Sequence, residues 1–346
     1  MHALSTIPCL PEAASTPVGA EVYRGLTSHP KQLAPWLFYD QRGSELFEAI
    51  TELPEYYLTR TERGIFAERG DEILAAAGAE AGTGELAVIE LGAGTAAKTG
   101  LLLEAAVRQQ IAVSYYPIDI SDSALELAQQ NLAEQLPQVN VEPLVADYAR
   151  DMSRLPAPGG RRLVLYIGSS IGNFEPEAAV EVLRGIHATM RPGDGLLLGA
   201  DLAPAERDES PAGCKCVDEL IAAYDDADGV TAAFNRNLLV RLNRELGAEF
   251  DPDTFEHRAV WNRDESRIEM HLESRTAQSV WIEALEMEVR FAAGERLHTE
   301  NSYKYTAEQV AGLMALAGFP VERHWLAEAA HGPEGAWFAV LLGRKA

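Results

Sequence analysis

The chain has 346 residues, which is enough to bury a full core in one large domain or in two domains that pack closely together. Acidic residues outnumber basic ones by 53 to 29 and give a formal net charge of −24. Such a surface repels polyanions, so we expect neither nucleic acid nor an anionic membrane as a partner. No apolar run approaches the ~20 residues that span a bilayer.

The first residues lack the basic and apolar regions of a signal peptide. Cys9 is isolated, and a disulfide between Cys214 and Cys216 would be strained. The sequence around them offers too few further ligands for a metal site. We therefore expect a cytoplasmic monomer with reduced thiols and no bound metal.

The N-terminal part of the chain predicts helices behind a loose arm. Residues 1–20 are small and polar and predict a flexible arm. Residues 21–80 predict a helical segment that contributes to the substrate domain, with apolar residues at helical spacing over 44–50. A turn follows at Leu53 and Pro54, because proline disfavours a helical conformation in the residue before it.

Residues 81–203 alternate strands with helices, which predicts a doubly wound, Rossmann-like α/β core. Ser123 and Glu126 fit a capping box that opens a helix through Leu132. Residues 176–190 predict a crossover helix. The predicted strands are Leu86–Leu91, Ser114–Ile120, Val141–Val145, Leu163–Ile167 and Gly195–Leu202.

Residues 204–300 break this alternation and predict an α+β insertion that binds the substrate. A mobile loop at about 203–213 opens it and is either a candidate lid or a tolerated insertion. Residues 301–346 return to the core sheet, through a helix capped by Thr306 and an apolar closing strand at 337–342. Within the insertion we predict helices at about 216–226 and 231–246, then an antiparallel meander of strands at 257–262, 266–274, 278–283 and 285–291.

The segment from Val88 to Lys98 is the strongest functional signal. A short apolar run ends in Glu90, and Gly92 and Gly94 follow before a segment compatible with a helix. Glycine adopts backbone angles that a Cβ would forbid, so a ligand can approach the main chain closely. The helix start directs free N–H groups toward the turn. This pattern predicts a nucleotide-binding corner without specifying the nucleotide.

The residues around this corner favour S-adenosylmethionine (SAM) modestly over NAD. Asp119 ends the second strand, where a carboxylate can accept ribose hydroxyls from either cofactor. Asp147 and Tyr148 follow the third strand, where they can bind the adenine amino group and the base. Lys98 is predicted one turn into the first helix, where a cation is unfavourable unless a ligand carboxylate, such as that of SAM, pairs with it.

Six segments together resemble the SAM-dependent histidine Nα-methyltransferases of ergothioneine biosynthesis. The resemblance extends over roughly residues 20–345, and the first and fourth segments are particular to that family. Tyr148 departs from it, because phenylalanine is common there. The segments are Phe38–Glu62, Glu90–Thr99, Gly168–Phe174, Ala223–Asn237, Arg267–Met270 and Thr299–Tyr305.

The resemblance implies methylation of L-histidine to hercynine, with SAM as cofactor and Tyr39 and Asn173 as catalytic residues. The implied SAM-binding residues are Gly92, Lys98, Asp119, Asp147 and Tyr148. The implied substrate-binding residues are Tyr56, Gly168, Asn173, Tyr224, Met270, Glu300 and Ser302.

These residue types suit histidine as the substrate. Asn173 and Tyr224 can donate hydrogen bonds to an α-carboxylate without bringing a full charge. Glu300 can accept an imidazole N–H, whereas an apolar ring would leave this carboxylate unpaired. Three alternatives remain open: a relative that acts on another amino acid such as tryptophan, an NAD(P)-dependent oxidoreductase, and a SAM-binding protein without catalytic activity.

Overall fold

The computed structural model describes residues 11–79, 84–109, 111–148, 152, 155–204, 215–327 and 336–346. These residues form two compact units. The smaller unit contains the described residues up to Phe47, together with Asp225–Val260 and Glu269–Glu300. The larger unit contains the described residues of Glu48–Tyr224, Trp261–Ile268 and Asn301–Ala346.

Helices and strands alternate through most of the described chain. The α-helices are α1 Pro17–Thr27, α2 Gln41–Thr51, α3 Tyr57–Ala76, α4 Thr99–Arg108, α5 Asp122–Gln135, α6 Pro176–Thr189, α7 Val217–Ala222, α8 Val230–Leu246 and α9 Ala307–Leu316. The strands are β1 Leu86–Leu91, β2 Val113–Asp119, β3 Asn140–Val141, β4 Leu144–Val145, β5 Arg161–Tyr166, β6 Gly195–Asp201, β7 Phe255–Asn262, β8 Arg267–Ser274, β9 Gln278–Ile282, β10 Met287–Phe291, β11 Arg296–Tyr303, β12 Val321–Leu326 and β13 Phe338–Arg344.

A central sheet forms the larger unit, with strand order β12-β13-β6-β5-β1-β2-β3 and with β4 also paired to β2. The strands from β6 to β3 run parallel, whereas β13 runs antiparallel to both β6 and β12. The order reverses direction at β1, as in doubly wound folds. The predicted Rossmann-like core and its closing strand are therefore confirmed.

The sheet is buried on both faces because its strands are apolar at successive positions. In β5, Leu163 and Leu165 pack on one face, and Val164 packs on the other. Helices α3, α4 and α5 cover the first face, and α6 and α9 cover the second. A parallel sheet covered in this way reads as continuous apolar runs, which is why the sequence predicted its strands well.

The strands of the predicted insertion form two sheets and not one meander. In the three-stranded sheet the order is β11-β8-β7, and β9 pairs antiparallel with β10 in a separate hairpin. Strand β8 therefore pairs with β11, which follows it after the hairpin, as well as with β7. Periodicity predicts that a strand exists, but it does not specify its partner.

Two local predictions in the core are wrong in detail. The run at 141–145 predicts one strand, whereas β3 and β4 are separate pairs of residues with Pro143 between them. Proline has no N–H to donate to a ladder and interrupts the strand. Helix α5 begins at Asp122, and the side chain of Ser121, not Ser123, accepts the N–H of Ala124.

The described elements also change three other boundaries. The arm predicted over 1–20 is helical from Pro17, after a 3-10 turn at Glu12–Ser15. Helix α7 ends at Ala222, so the predicted helix over 216–226 is too long at both ends. Residues 48–79 belong to the larger unit. The candidate lid lies, apart from its first two residues, outside the described residues.

A buried acid in the core predicts a pH dependence of stability. Glu90 of β1 is buried and accepts the hydroxyl of Tyr115, and its burial raises its pKa from 4.5 to about 7. Between these pH values the folded protein keeps the Glu90 proton while the unfolded chain loses it, so stability falls as pH rises through this window. The free energy of unfolding should fall from about pH 4.5 to about pH 8 by about 2–3 kcal/mol more in the wild type than in Glu90→Gln.

Chemical denaturation across this range measures the difference. Glu104→Gln, on the exposed side of α4, is the control and should follow the wild type. Parallel curves for the wild type and Glu90→Gln would contradict the prediction.

Candidate active site

The glycine turn lies where β1 ends, at the centre of the larger unit. Gly92 and Gly94 have φ angles of +71° and +52°, a region that glycine adopts without strain. The N–H groups of Gly92 and Ala93 both donate to the carbonyl of Ile118, at 2.8 and 3.1 Å. The turn is thus fastened to β2, and its backbone lies at the sheet edge where ligands bind in such folds.

Asp119 closes this turn from the end of β2. One carboxylate oxygen accepts the N–H of Gly94 at 2.9 Å, and the other accepts the N–H of Ser121 at 2.9 Å. Burial raises the pKa of Asp119 in spite of these two bonds. Each oxygen retains a further lone pair, so ribose hydroxyls would supply donors to a desolvated carboxylate.

Tyr148 lies directly beside the turn, as the sequence predicts for a residue that contacts the base. A Cβ placed on Gly92 would lie 3.7 Å from the Tyr148 ring. The ring packs edge-on against Tyr166, with centroids 5.8 Å apart, and burial raises the pKa of Tyr148 to about 12. Asp147 is half-buried in the segment that follows β4, next to Tyr148.

Lys98 finds its counter-ion within the protein. Its ammonium lies 2.7 Å from a carboxylate oxygen of Glu62, which is fully buried on α3. Both Glu62 oxygens also accept the N–H of Gly168 at 3.0 Å. Lys98 immediately precedes α4 and does not lie one turn inside it, so that placement is wrong. Glu62 offsets the unfavourable position of a cation at a helix N-terminus, and Lys98 requires no ligand for that purpose.

Gly168 allows the Lys98 ammonium to approach the backbone. Its φ angle is +77°, and a Cβ at this position would lie 2.8 Å from Lys98 Nζ. The sequence assigns Gly168 to the substrate, whereas its contacts in the structure are with Lys98 and Glu62. Gly168 thus borders the lysine that the sequence assigns to SAM, and its contact with the substrate stays a prediction.

Asn173 is half-buried at the end of the 3-10 turn Ser170–Asn173, which follows β5. Helix α6 begins after Glu175, so Asn173 is not its cap. The Asn173 amide makes no hydrogen bond with another described residue. This amide is a suitable donor for a ligand at the sheet edge.

Three of the predicted substrate residues come together in the larger unit. The rings of Tyr56 and Tyr224 pack edge-on with centroids 6.3 Å apart. The hydroxyl oxygen of Tyr224 lies 2.9 Å from that of Ser302. All three side chains are buried, although they come from the start of α3, the end of α7 and strand β11.

Tyr39, Met270 and Glu300 belong to the smaller unit. Tyr39 packs edge-on against Phe47 and Phe234, with centroids 5.8 and 6.0 Å apart. Met270 is buried on β8, and its carbonyl accepts the hydroxyl of Thr299. Glu300 is half-buried on β11. The roles of these three residues stay predictions from the resemblance.

The sequence missed the buried charges that surround the predicted residues. Glu62 ends the first segment of the resemblance, but as one of several acids on a long helix it does not stand out from its neighbours. Asp201 ends β6 as Asp119 ends β2, and that shared position at the sheet edge was a signal that could have been used. Lys304 lies in a segment already singled out by its resemblance, two residues after Ser302.

Comparison with known proteins identifies the family. Residues 18–343 match the family of histidine-specific, SAM-dependent methyltransferases. The chain belongs to this family. It is 44% identical to a histidine N-alpha-methyltransferase of Mycolicibacterium smegmatis over 91% of this chain and 92% of the relative. Identity to the protein of that name from Mycobacterium tuberculosis is 41% over 89% and 91%.

A third relative is the ergothioneine biosynthesis protein 1 of Schizosaccharomyces pombe, which is 30% identical over 72% of this chain and 31% of its own length. The family and cofactor predicted from the sequence are confirmed, and an NAD(P)-dependent oxidoreductase is set aside. The site fits SAM: Asp119 suits the ribose, Tyr148 suits the base, and the turn between them leaves the backbone accessible. Among the described residues, no helix is long and apolar enough to cross a membrane.

The contacts of Gly168 predict the effect of adding a single methyl group. Gly168→Ala should displace Lys98 and weaken the binding of S-adenosylhomocysteine about 10-fold or more, because the Cβ would lie only 2.8 Å from Nζ. Calorimetric titration measures this affinity.

Gly193→Ala is the matched control. Gly193 also has a positive φ, at +90°, but a Cβ there meets nothing within 4 Å. Both substitutions introduce backbone strain of about 1–2 kcal/mol. Equal losses of cofactor affinity in the two variants would show that strain, and not Lys98, causes the effect.

Proposed function

We propose that this protein transfers methyl groups from SAM to the α-amine of L-histidine and that three transfers yield hercynine for ergothioneine biosynthesis. The observation that carries this proposal is the 44% identity to a histidine N-alpha-methyltransferase over nearly the whole of both chains. The similarity to an ergothioneine biosynthesis protein supports the pathway.

The larger unit offers neutral donors for the acceptor amino acid. The Asn173 amide and the hydroxyls of Tyr224 and Ser302 can all donate hydrogen bonds. In this proposal Tyr56, Asn173 and Tyr224 bind the α-carboxylate, and Ser302 serves an imidazole nitrogen. Neutral donors hold a carboxylate without placing a cation beside the amine, which must itself lose a proton before it can react.

The reaction requires a neutral amine, because only its lone pair can attack the methyl group. SAM supplies that methyl group on a positively charged sulfur. An α-amine has an unperturbed pKa of about 7.7–8.0, and burial beside a positive charge lowers it further. The protein therefore needs mainly to align the amine and to lead its proton to water. We assign the holding of that water to Tyr39, with Met270 and Glu300 at the imidazole.

A quaternary ammonium has no lone pair, so the reaction stops by itself after the third transfer. Gly92, Asp119, Asp147 and Tyr148 hold the cofactor in this proposal, and Glu62 and Gly168 orient Lys98 toward its carboxylate. The cytoplasmic location and the monomeric state stay predictions from the sequence.

Mass spectrometry tests the substrate directly. Incubation of the protein with SAM and histidine should give products heavier by one, two and three methyl groups. Tryptophan, incubated in parallel, should remain unmodified. Methylation of tryptophan alone would support the rival substrate, and SAM binding without any methylated product would support a protein without catalytic activity.

Substitution of Glu300 tests whether this residue binds the imidazole side chain of histidine. Glu300→Ala should raise the KM for histidine about 10-fold or more, because a hydrogen bond to a charged group contributes about 1.5–3 kcal/mol. Affinity for S-adenosylhomocysteine should stay within about 2-fold of the wild type. Glu249→Ala, at an exposed glutamate of the same unit, is the control. An unchanged KM for histidine in Glu300→Ala would remove Glu300 from the site.

A further inference from the structure

A buried polar network in the larger unit includes the hydroxyls of Tyr224 and Ser302, the two proposed substrate contacts. Every side chain in it is buried, and only two of its members have a role in the proposed reaction. The members of this network are Tyr57, Asp201, Lys215, Tyr224, Ser302 and Lys304.

Asp201 holds the network together from the end of β6. One oxygen accepts from Lys215 at 2.6 Å, and the other accepts from Lys304 at 2.7 Å. The hydroxyl oxygen of Tyr57 lies 3.0 and 2.8 Å from the same two oxygens. Burial alone would raise the pKa of Asp201, but the two ammonium groups outweigh it and lower the pKa. The network thus contains two lysines and one carboxylate.

Lys304 connects the Asp201 carboxylate to the hydroxyls of Tyr224 and Ser302. Besides Asp201, its ammonium donates to Tyr224 Oη at 2.8 Å and to Ser302 Oγ at 3.0 Å. An ammonium has three hydrogens and no lone pair, so both hydroxyl oxygens act as acceptors toward Lys304. The single hydrogens of Tyr224 and Ser302 must therefore be directed away from Lys304, and one of them is taken up by the 2.9 Å hydrogen bond between the two hydroxyls.

Lys215 differs from Lys304 in this respect. It donates to Asp201, to Tyr57 Oη at 3.1 Å and to the carbonyl of Trp337 at 3.2 Å. These three acceptors use its three hydrogens, and neither Tyr224 nor Ser302 is among them. Burial lowers the pKa of Lys215 to about 8 against the opposing effect of Asp201. Two lysines thus share one carboxylate, but only one of them contacts the hydroxyls.

We propose that Lys304 is a positioning residue: its buried ammonium orients and polarises the hydroxyl of Tyr224 for an acceptor with a free α-carboxylate and holds Ser302 beside it. This proposal rests on the proposed function, because it takes both hydroxyls as substrate contacts. A hydroxyl that accepts from a cation becomes a stronger donor, and a charged acceptor gains more from it than a neutral one. Lys304 therefore selects free amino acids over their carboxamides.

The experiment compares Lys304→Met with Lys215→Met. Each variant removes one buried ammonium, fills a similar volume and leaves Asp201 with one lysine. With saturating SAM, the KM for histidine should rise about 10- to 100-fold in Lys304→Met, as expected for the loss of hydrogen bonds to a charged group. It should stay within about 3-fold of the wild type in Lys215→Met. The affinity for S-adenosylhomocysteine should be unchanged in both.

A second measurement separates positioning from a structural role. The ratio of kcat/KM for histidine to that for histidinamide should fall about 10-fold or more in Lys304→Met and stay constant in Lys215→Met. A merely structural lysine would lower activity toward both substrates equally. An unchanged ratio in Lys304→Met, or equal changes in both variants, would overturn the proposal.

A variant that does not fold and a wild type with a different substrate each require a further measurement. If Lys304→Met does not fold, Lys304→Gln takes its place, and the same ratio decides. If the wild type methylates another amino acid and not histidine, the proposed substrate is wrong, and the two lysine variants are compared on that amino acid and its carboxamide. A wild type that methylates no amino acid would overturn both proposals.

Discussion

The pairing of buried charge at the carboxyl edge of the parallel sheet holds the candidate site residues of the larger unit in place. A buried carboxylate without partners is strongly destabilising, so it is either met by hydrogen-bond donors or a cation or, like Glu90, keeps its proton to a higher pH. Glu62 meets Lys98 and the N–H of Gly168, Asp119 meets the N–H of Gly94, and Asp201 meets two lysines. These contacts restrain Lys98 and the glycine turn, and Lys304 restrains the hydroxyls of Tyr224 and Ser302.

The cofactor side and the acceptor side of the proposed site are built differently. On the cofactor side, Asp119 ends β2, and short connections after β1 and β4 carry Gly92 and Tyr148, so residues close to the strand ends suffice. On the acceptor side, Tyr224 follows α7 and Ser302 lies on β11, which are distant in the chain. These hydroxyls are neutral, and the nearby positive charge is on Lys304, which donates a hydrogen bond to each of them. In the proposed reaction this arrangement attracts a carboxylate while keeping a cation away from the reacting amine.

Much of the fold was predictable because the core strands are continuous apolar runs between turn residues. The details that failed depend on competition between similar local choices. Ser121 and Ser123 are both acceptable caps, and the end of β2 decides between them. Likewise, the run over 141–145 is apolar enough for a strand, but Pro143 divides it. In the second half, alternation predicted β7 to β10, but strand pairing depends on contacts that periodicity does not contain.

The sequence by itself determined the α/β class, the glycine turn and the family, because these depend on residue spacing, on backbone angles and on motifs that are read locally. Only the tertiary structure decided which partners the buried charges find. Lys98 pairs with a glutamate 36 residues away, and Lys304 contacts a tyrosine 80 residues away. The physical reason is that a charge taken out of water must be paired by whatever group the packed chain brings within hydrogen-bonding distance. Spacing along the sequence does not specify that group.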